Sequence, residues 1–267
     1  MAEEWAVGEE WAVRTAKLVV PGRYNGPADS GNGGYVAGRL AQAYVSLVLH
    51  GRTAARDGTT QDSVTVTLRQ PPPLDVGLDL TVDDGRLVAT FSGAVIATAE
   101  AGALSTEPVE PVDPRAARAA QQAYAGLRAH PFPTCFVCGP ARPRHDGLGL
   151  FPGRLGADPQ DRVACTWVPD ESVAHDGTAG DVGPEFVWAA LDCPSGWASD
   201  LEARPMVLGR ITAAVDRVPR VGETCVVAAR VLSSEGRKTF TASTAYDSDG
   251  RILGRAEATW IAIATTS

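Results

Sequence analysis

One aspartate in an otherwise apolar stretch is the first residue of this sequence with a chemical reading. Asp192 lies within Asp181 to Trp197, DVGPEFVWAALDCPSGW, directly after Phe186, Val187, Trp188, Ala189, Ala190 and Leu191. A carboxylate among such neighbours loses hydration on burial, so it is either paired for structure or kept for chemistry. A second stretch, Asp29 to Gly34 (DSGNGG), opens a helix predicted from Tyr35 to about His50. Glycines there let backbone approach a ligand closely, and the first amides of a helix lack internal acceptors at its positive end. Cys135 and Cys138 form a single C-x-x-C with His145 seven residues on. A structural zinc site needs two more well-spaced ligands, no second cysteine pair exists, and no metal is expected. The histidines His50, His130, His145 and His175 fall at loops or helix ends, and no G-x-S-x-G nucleophile signature occurs.

The elements that must position these groups occur twice. After a strand beginning near Ala16 and the helix of the first half, alternating β-branched residues predict strands at Ser63–Leu68, Leu78–Val82, Leu87–Ser92 and Ala94–Leu104. Composition then shifts to STEPVEPVDP and an alanine-rich helical segment, Arg115 to Ala129. Beyond it come a strand at Arg162–Val168, the Asp181–Trp197 helix, and strands at Val207–Val215, Thr224–Leu232, Lys238–Tyr246 and Ile252–Ile263. Local echoes accompany the repeated order: RQPPPLDVG (69–77) against RVPRVG (217–222), and ATAEAGA (97–103) against GRAEATW (254–260). The chain is therefore read as α+β, with units 1–107 and 134–267 joined by a helix-containing linker, 108–133. Any site is expected between them.

Bulk properties narrow the class. At 267 residues with 44% hydrophobic and 21% charged content, the chain is long enough for a substantial core. A net charge of -8 and a pI near 5.0 disfavour nucleic acid or an anionic membrane as partner. No apolar run approaches a bilayer span, and Glu3, Glu4, Glu9 and Glu10 stand where a signal peptide carries positive charge, which predicts a cytoplasmic protein. Five scattered cysteines fit reduced thiols, with Cys165 and Cys225 as strand filler. The tandem EEWAV at 3–7 and 9–13 is too short to be architectural.

Against this background the sequence resembles the hotdog-fold thioesterase superfamily in a double-hotdog arrangement, two repeats each with a long central helix wrapped by an antiparallel sheet. CFVCGPARPRHDGLGL (135–150) is similar to the cysteine-containing stretch before the first strand in phenylacetate-pathway-type thioesterases. GPEFVWAALD (183–192) resembles that family's HGG-plus-LD helix, and Asn32-Gly33-Gly34 followed by YVAGRLA resembles the same helix start. The two halves depart from the pattern in complementary ways. With Gly33 matched to the first glycine, the family's acid falls at Ala41; the second half has Asp192 but carries Gly183-Pro184-Glu185 in place of the glycine pair.

The resemblance implies one composite site and a second, dead one. Gly33 and Gly34 would stabilise an oxyanion, and Asp192 would act as general base or nucleophile on an acyl-CoA or acyl-carrier-protein thioester. It further places a substrate- or water-binding amide near Asn25, a hydroxyl near Thr212, substrate contacts at Asn32 and Tyr35, and coenzyme A phosphates near Arg237 and Lys238. No cofactor is implied beyond coenzyme A as part of the substrate, and a homodimer of such chains is compatible with the family. Two other readings stay open: a non-catalytic acyl-binding or assembly protein, and a hydratase or dehydratase, for which no Asp and His pair has the spacing. Glu100 and Glu257, at equivalent places in the last strands, are expected to be structural pairs. Pro194 is expected to kink or end the acid-bearing helix.

Overall fold

A computed structural model describes residues 15–49, 63–143, 145–156, 158, 160–175 and 180–263. The EEWAV repeat and His50 lie outside the described residues. The first unit runs β1 (Thr15–Val19), α1 (Gly33–Tyr44), β2 (Val64–Leu68), β3 (Gly77–Asp83), β4 (Arg86–Phe91) and β5 (Ala94–Ala101). A connecting α2 (Pro114–Ala120) and a short β6 (Gly153–Arg154) precede the second: β7 (Val163–Trp167), α3 (Pro184–Trp197), β8 (Met206–Val215), β9 (Cys225–Glu235), β10 (Lys238–Tyr246) and β11 (Ile252–Ala262).

The strand order β1-β3-β4-β5-β2 of the first unit is repeated as β7-β9-β10-β11-β8 in the second. Instead of two separate sheets, the units share one: β2 pairs antiparallel with β8, giving a single eleven-stranded sheet with β6 at one edge. The pairing sets Thr65 opposite Thr212, and the next strands outward put Glu100 opposite Thr65 and Glu257 opposite Thr212. Thr65 and Thr212 are thus flanked alike, each by a glutamate on the next strand outward. Both glutamates are structural: Glu100 pairs with Arg86 at 3.0 Å, and Glu257 accepts the Ser105 and Thr106 N–H groups at 2.6 Å each.

Each helix lies on its own half-sheet. Leu40 of α1 is buried with Val66, Leu78 and Leu87, and Leu191 of α3 with Ile211 and Leu253. Full burial of such a side chain contributes roughly 1.5–3 kcal/mol. The helices also pack on each other in opposite directions, since Gly34 faces Trp188, Ala189 and Asp192 while Gly38 faces Glu185. A Cβ on Gly34 would come within 2.8 Å of Trp188 O, and one on Gly38 within 2.7 Å of Glu185 Cα. The small-residue pattern of α1 is thus a requirement of close helix approach.

Three predicted elements differ. The α-helix of the first unit ends at Tyr44 and continues as a π-helical turn, Val45–Leu49. The alanine-rich segment keeps only α2 as α-helix, followed by 3₁₀ turns at Gln121–Ala123 and Ala125–Leu127, because Tyr124 turns inward to donate its hydroxyl to Cys138 O at 3.0 Å. Pro194 neither kinks out nor ends α3, which runs on to Trp197. Proline withdraws a backbone donor from this turn, and side chains supply others: Ser243 Oγ donates to Leu191 O at 2.7 Å and Ser195 Oγ to Asp192 O at 2.8 Å. No helix among the described residues is long and apolar enough to cross a membrane.

Candidate active site

The first link in the site is the start of α1. Asn32 is its N-cap, with the side-chain oxygen accepting Tyr35 N–H at 2.9 Å, as expected for a residue of this type before a helix. That bond fixes the amide so that Asn32 Nδ2 points at α3. There it donates to Asp192 Oδ2 at 3.1 Å, and Gly34 N–H donates to the same oxygen at 2.9 Å. The gap between the helices is closable only because Gly34 has no side chain. The sequence-predicted Asn32, Gly34 and Asp192 therefore meet across the unit boundary.

Asp192 is 1% exposed, and its second oxygen, Oδ1, has no hydrogen-bond partner among the described residues. Burial pushes its carboxyl up to about 7, against the pull of the Gly34 N–H, with the Cys135 sulfur raising it further and the Asn32 amide lowering it. Its backbone is held too, because Ser195 accepts Trp260 Nε1–H at 3.0 Å while donating to Asp192 O.

A cavity of about 270 Å³ opens beside this group, lined by Asn32, Gly33 and Asp192 on one side and by apolar residues including Leu68, Phe132, Trp197, Met206 and Leu208 on the other. Gly33 N–H, the first amide of the helix, has no acceptor among the described residues. Arg69 and Gln70, both exposed, stand where β2 ends at the cavity. The arrangement offers a buried carboxylate, an unspent helix-start amide and an apolar chamber with a polar edge.

The remaining predicted residues fall elsewhere. Asn25 is buried but holds loops together: its Oδ1 accepts Arg142 Nη1–H at 2.7 Å, and its Nδ2 donates to Pro27 O and Thr134 Oγ1. Tyr35 stacks on Tyr24, ring centroids 4.1 Å apart, in a cluster with Phe136 and Phe186. Thr212 bonds Thr65 Oγ1 at 2.8 Å on the sheet face away from the helices. The Arg237 guanidinium is tied to Ala262 O at 2.8 and 3.1 Å, and exposed Lys238 begins β10. None of these lines the cavity. Aligning the N-caps Asn32 and Gly183 sets Ala41 at the mirror position of Asp192, and neighbouring Gln42 donates to Glu185 Oε2 at 2.7 Å.

Several cavity residues had no sequence signal. His130, Cys193, Trp260 and Arg69 lie far from one another along the chain, and only the fold gathers them. His145, the histidine that follows the C-x-x-C in sequence, is exposed and bonds Asp170 Oδ2 at 2.9 Å instead.

No family model matches the sequence, and no curated protein matches it either. Solved structures do. The tesB protein of Mycobacterium avium subs paratuberculosis superposes with a TM-score of 0.59 at 13% identity, covering 95% of this chain and 96% of the other. A protein of unknown function with hot dog fold from Alicyclobacillus acidocaldarius gives 0.58 at 12%, covering 96% of each chain. A Novosphingobium aromaticivorans chain provisionally classed as a thioesterase gives 0.59 at 15%, covering 94% and 96%. The chain has the hot dog fold; at these identities the likeness is one of fold.

Proposed function

We propose that this chain is a double hotdog, two duplicated halves, that hydrolyses an acyl thioester at one composite site between them. The observation that carries the reading is the meeting of Asp192 from α3 with the α1 start: Gly34 N–H and Asn32 Nδ2 both bind Oδ2, leaving Oδ1 and Gly33 N–H without a partner among the described residues, beside an apolar cavity. The acyl group would occupy the cavity, whose volume lies just below the roughly 300 Å³ at which small-molecule pockets begin, so it encloses an acyl group and leaves the carrier outside. Gly33 N–H would polarise the thioester carbonyl and stabilise the oxyanion that forms, since it is a fixed donor at the positive end of a helix. Asp192 Oδ1 would then take a proton from the attacking water, or attack the carbonyl itself and be freed by water in a second step.

The carrier would be coenzyme A or an acyl-carrier protein, met at the open side of the cavity. Arg69, with no ion pair among the described residues, is the cation placed to meet its phosphates; Lys238, on the hairpin facing the end of β11, is a more distant one. The mirror site, with Ala41 in place of an acid, would be inert. A second reading, an acyl-binding protein without turnover, draws on the two donors that already satisfy Asp192 Oδ2.

Release of free thiol from short, long and aromatic acyl-CoAs separates the two. Hydrolysis by the wild type with loss of roughly 10²–10⁴-fold in a folded Asp192→Asn variant supports the enzyme. Tight acyl binding with no turnover by the wild type supports the binder.

A further inference from the structure

The residue after the candidate acid faces two sulfurs from a distant loop. Cys193 Sγ lies 3.7 Å from Cys135 Sγ, and the Sγ atoms of Cys135, Cys138 and Cys193 all lie within 4.8 Å of one another. All three are free, buried and at the wall of the same cavity. Zinc–sulfur bonds of about 2.3 Å at tetrahedral angles set sulfurs about 3.8 Å apart, and the Cys135 to Cys193 separation already matches.

The surroundings are arranged for negatively charged sulfur. Cys135 and Cys138 sit in a tight turn, where Gly139 N–H donates to Cys135 O at 2.9 Å. That turn admits no side chain at Gly139, whose Cβ would come within 2.5 Å of Cys135 N and Pro133 O. Asn32 Nδ2, while bonding Asp192, also lies 3.6 Å from Cys193 Sγ and 3.9 Å from Cys135 Sγ. His130 Nε2 lies 3.4 Å from Cys138 Sγ, and its Nδ1 accepts Phe132 N–H at 2.9 Å, so the neutral ring carries its proton on Nε2 and donates it to the sulfur. Neutral thiols are weak acceptors and need no such ring of donors; metal-bound thiolates are stabilised by one.

We propose that Cys135, Cys138 and Cys193 bind one thiophilic divalent cation of the zinc class as three thiolates, its fourth position turned to the cavity. Binding releases the thiol protons to solvent and leaves the oxidation state of sulfur and metal unchanged. The ion joins the residue next to Asp192 on α3 to the loop of Cys135–Gly139, so its effect is to fix one wall of the site. The metal site stands apart from the hydrolase reading, because its occupancy is measured without any substrate.

The test is metal analysis of the whole chain purified reduced and without chelator, followed by replacement with Co²⁺. The proposal predicts about one equivalent of zinc per chain and, with Co²⁺, a thiolate-to-cobalt charge-transfer band with tetrahedral visible absorption. Cys135→Ser, Cys138→Ser and Cys193→Ser should each abolish that band, while Cys165→Ser, on β7 outside the cluster, should retain it. Folded wild type with less than a tenth of an equivalent and no band on cobalt addition would overturn it. The wild-type spectrum decides even where a serine variant fails to fold.

Discussion

The Gly34 N–H of α1 donates to Asp192 Oδ2 of α3 at 2.9 Å, a bond between residues 158 positions apart that spans the boundary between the two units. It exists because the helices touch where both a side chain and a backbone bond are missing: Gly34 leaves the room, and helix geometry leaves its N–H unspent. Gly34→Ala should therefore wedge the helices apart at Trp188 O and Ala189 Cα, 2.8 and 2.9 Å from the new Cβ. The expected cost is about 1–3 kcal/mol of stability in denaturant unfolding, with turnover reduced alongside.

Asn32 does two jobs with two ends of one amide. Asn32→Ser keeps an oxygen to cap Tyr35 N–H but removes the donor to Asp192, so stability should stay within a few tenths of a kcal/mol of wild type while kcat falls. Asn32→Ala loses both and should also destabilise by about 1 kcal/mol. Thermal unfolding and steady-state kinetics of the pair would separate cap from site.

Ser195 ties down the turn of α3 that contains Pro194. Its hydroxyl accepts from the Trp260 indole and donates to Asp192 O, in the turn where Pro194 supplies no N–H. Ser195→Ala would leave the buried indole N–H without a partner, at about 1–3 kcal/mol. Because the same change loosens the backbone of Asp192, kcat should fall more than KM changes, and a shift in tryptophan fluorescence should report the altered indole.

Glu257 sets an acid limit on the fold. Burial works against its ionisation but is outweighed by the Thr106 and Ser105 N–H groups, which hold its carboxyl below the ordinary value of 4.5. A depressed folded value means that the stabilisation is complete above 4.5 and is lost as pH falls through the lower, folded value. The midpoint of thermal unfolding should therefore drop below pH 4.5 in the wild type and drop less steeply in Glu257→Gln.

Much of this arrangement is legible in the residues themselves. Asp192 stands out because it is the one ionisable group in its apolar run, the glycines before α1 mark a tight helix start, and period-two alternation locates the strands closely. What the linear pattern misses depends on partners. Counting by twos from Met206 and Leu208 turns Thr212 inward, but the register shift opposite Thr259 and Trp260 leaves Gly209 as an extra residue and flips the strand, so that Ile211 and Ala213 face the core and Thr212 faces out. Pro194 reads as a helix breaker because the hydroxyl of Ser243 that meets the neighbouring carbonyl is on β10. Cys193 is one residue from the acid, yet only the fold brings Cys135 and Cys138 to it.

The composite site is tested most directly by a double-mutant cycle on turnover of an accepted acyl-CoA, using Asn32→Ser, Asp192→Asn and the two together. If Asn32 acts through Asp192, the double variant should be about as slow as Asp192→Asn alone, because the amide has nothing left to position. Fully additive losses, or an Asp192→Asn protein that turns over at the wild-type rate, would contradict the account.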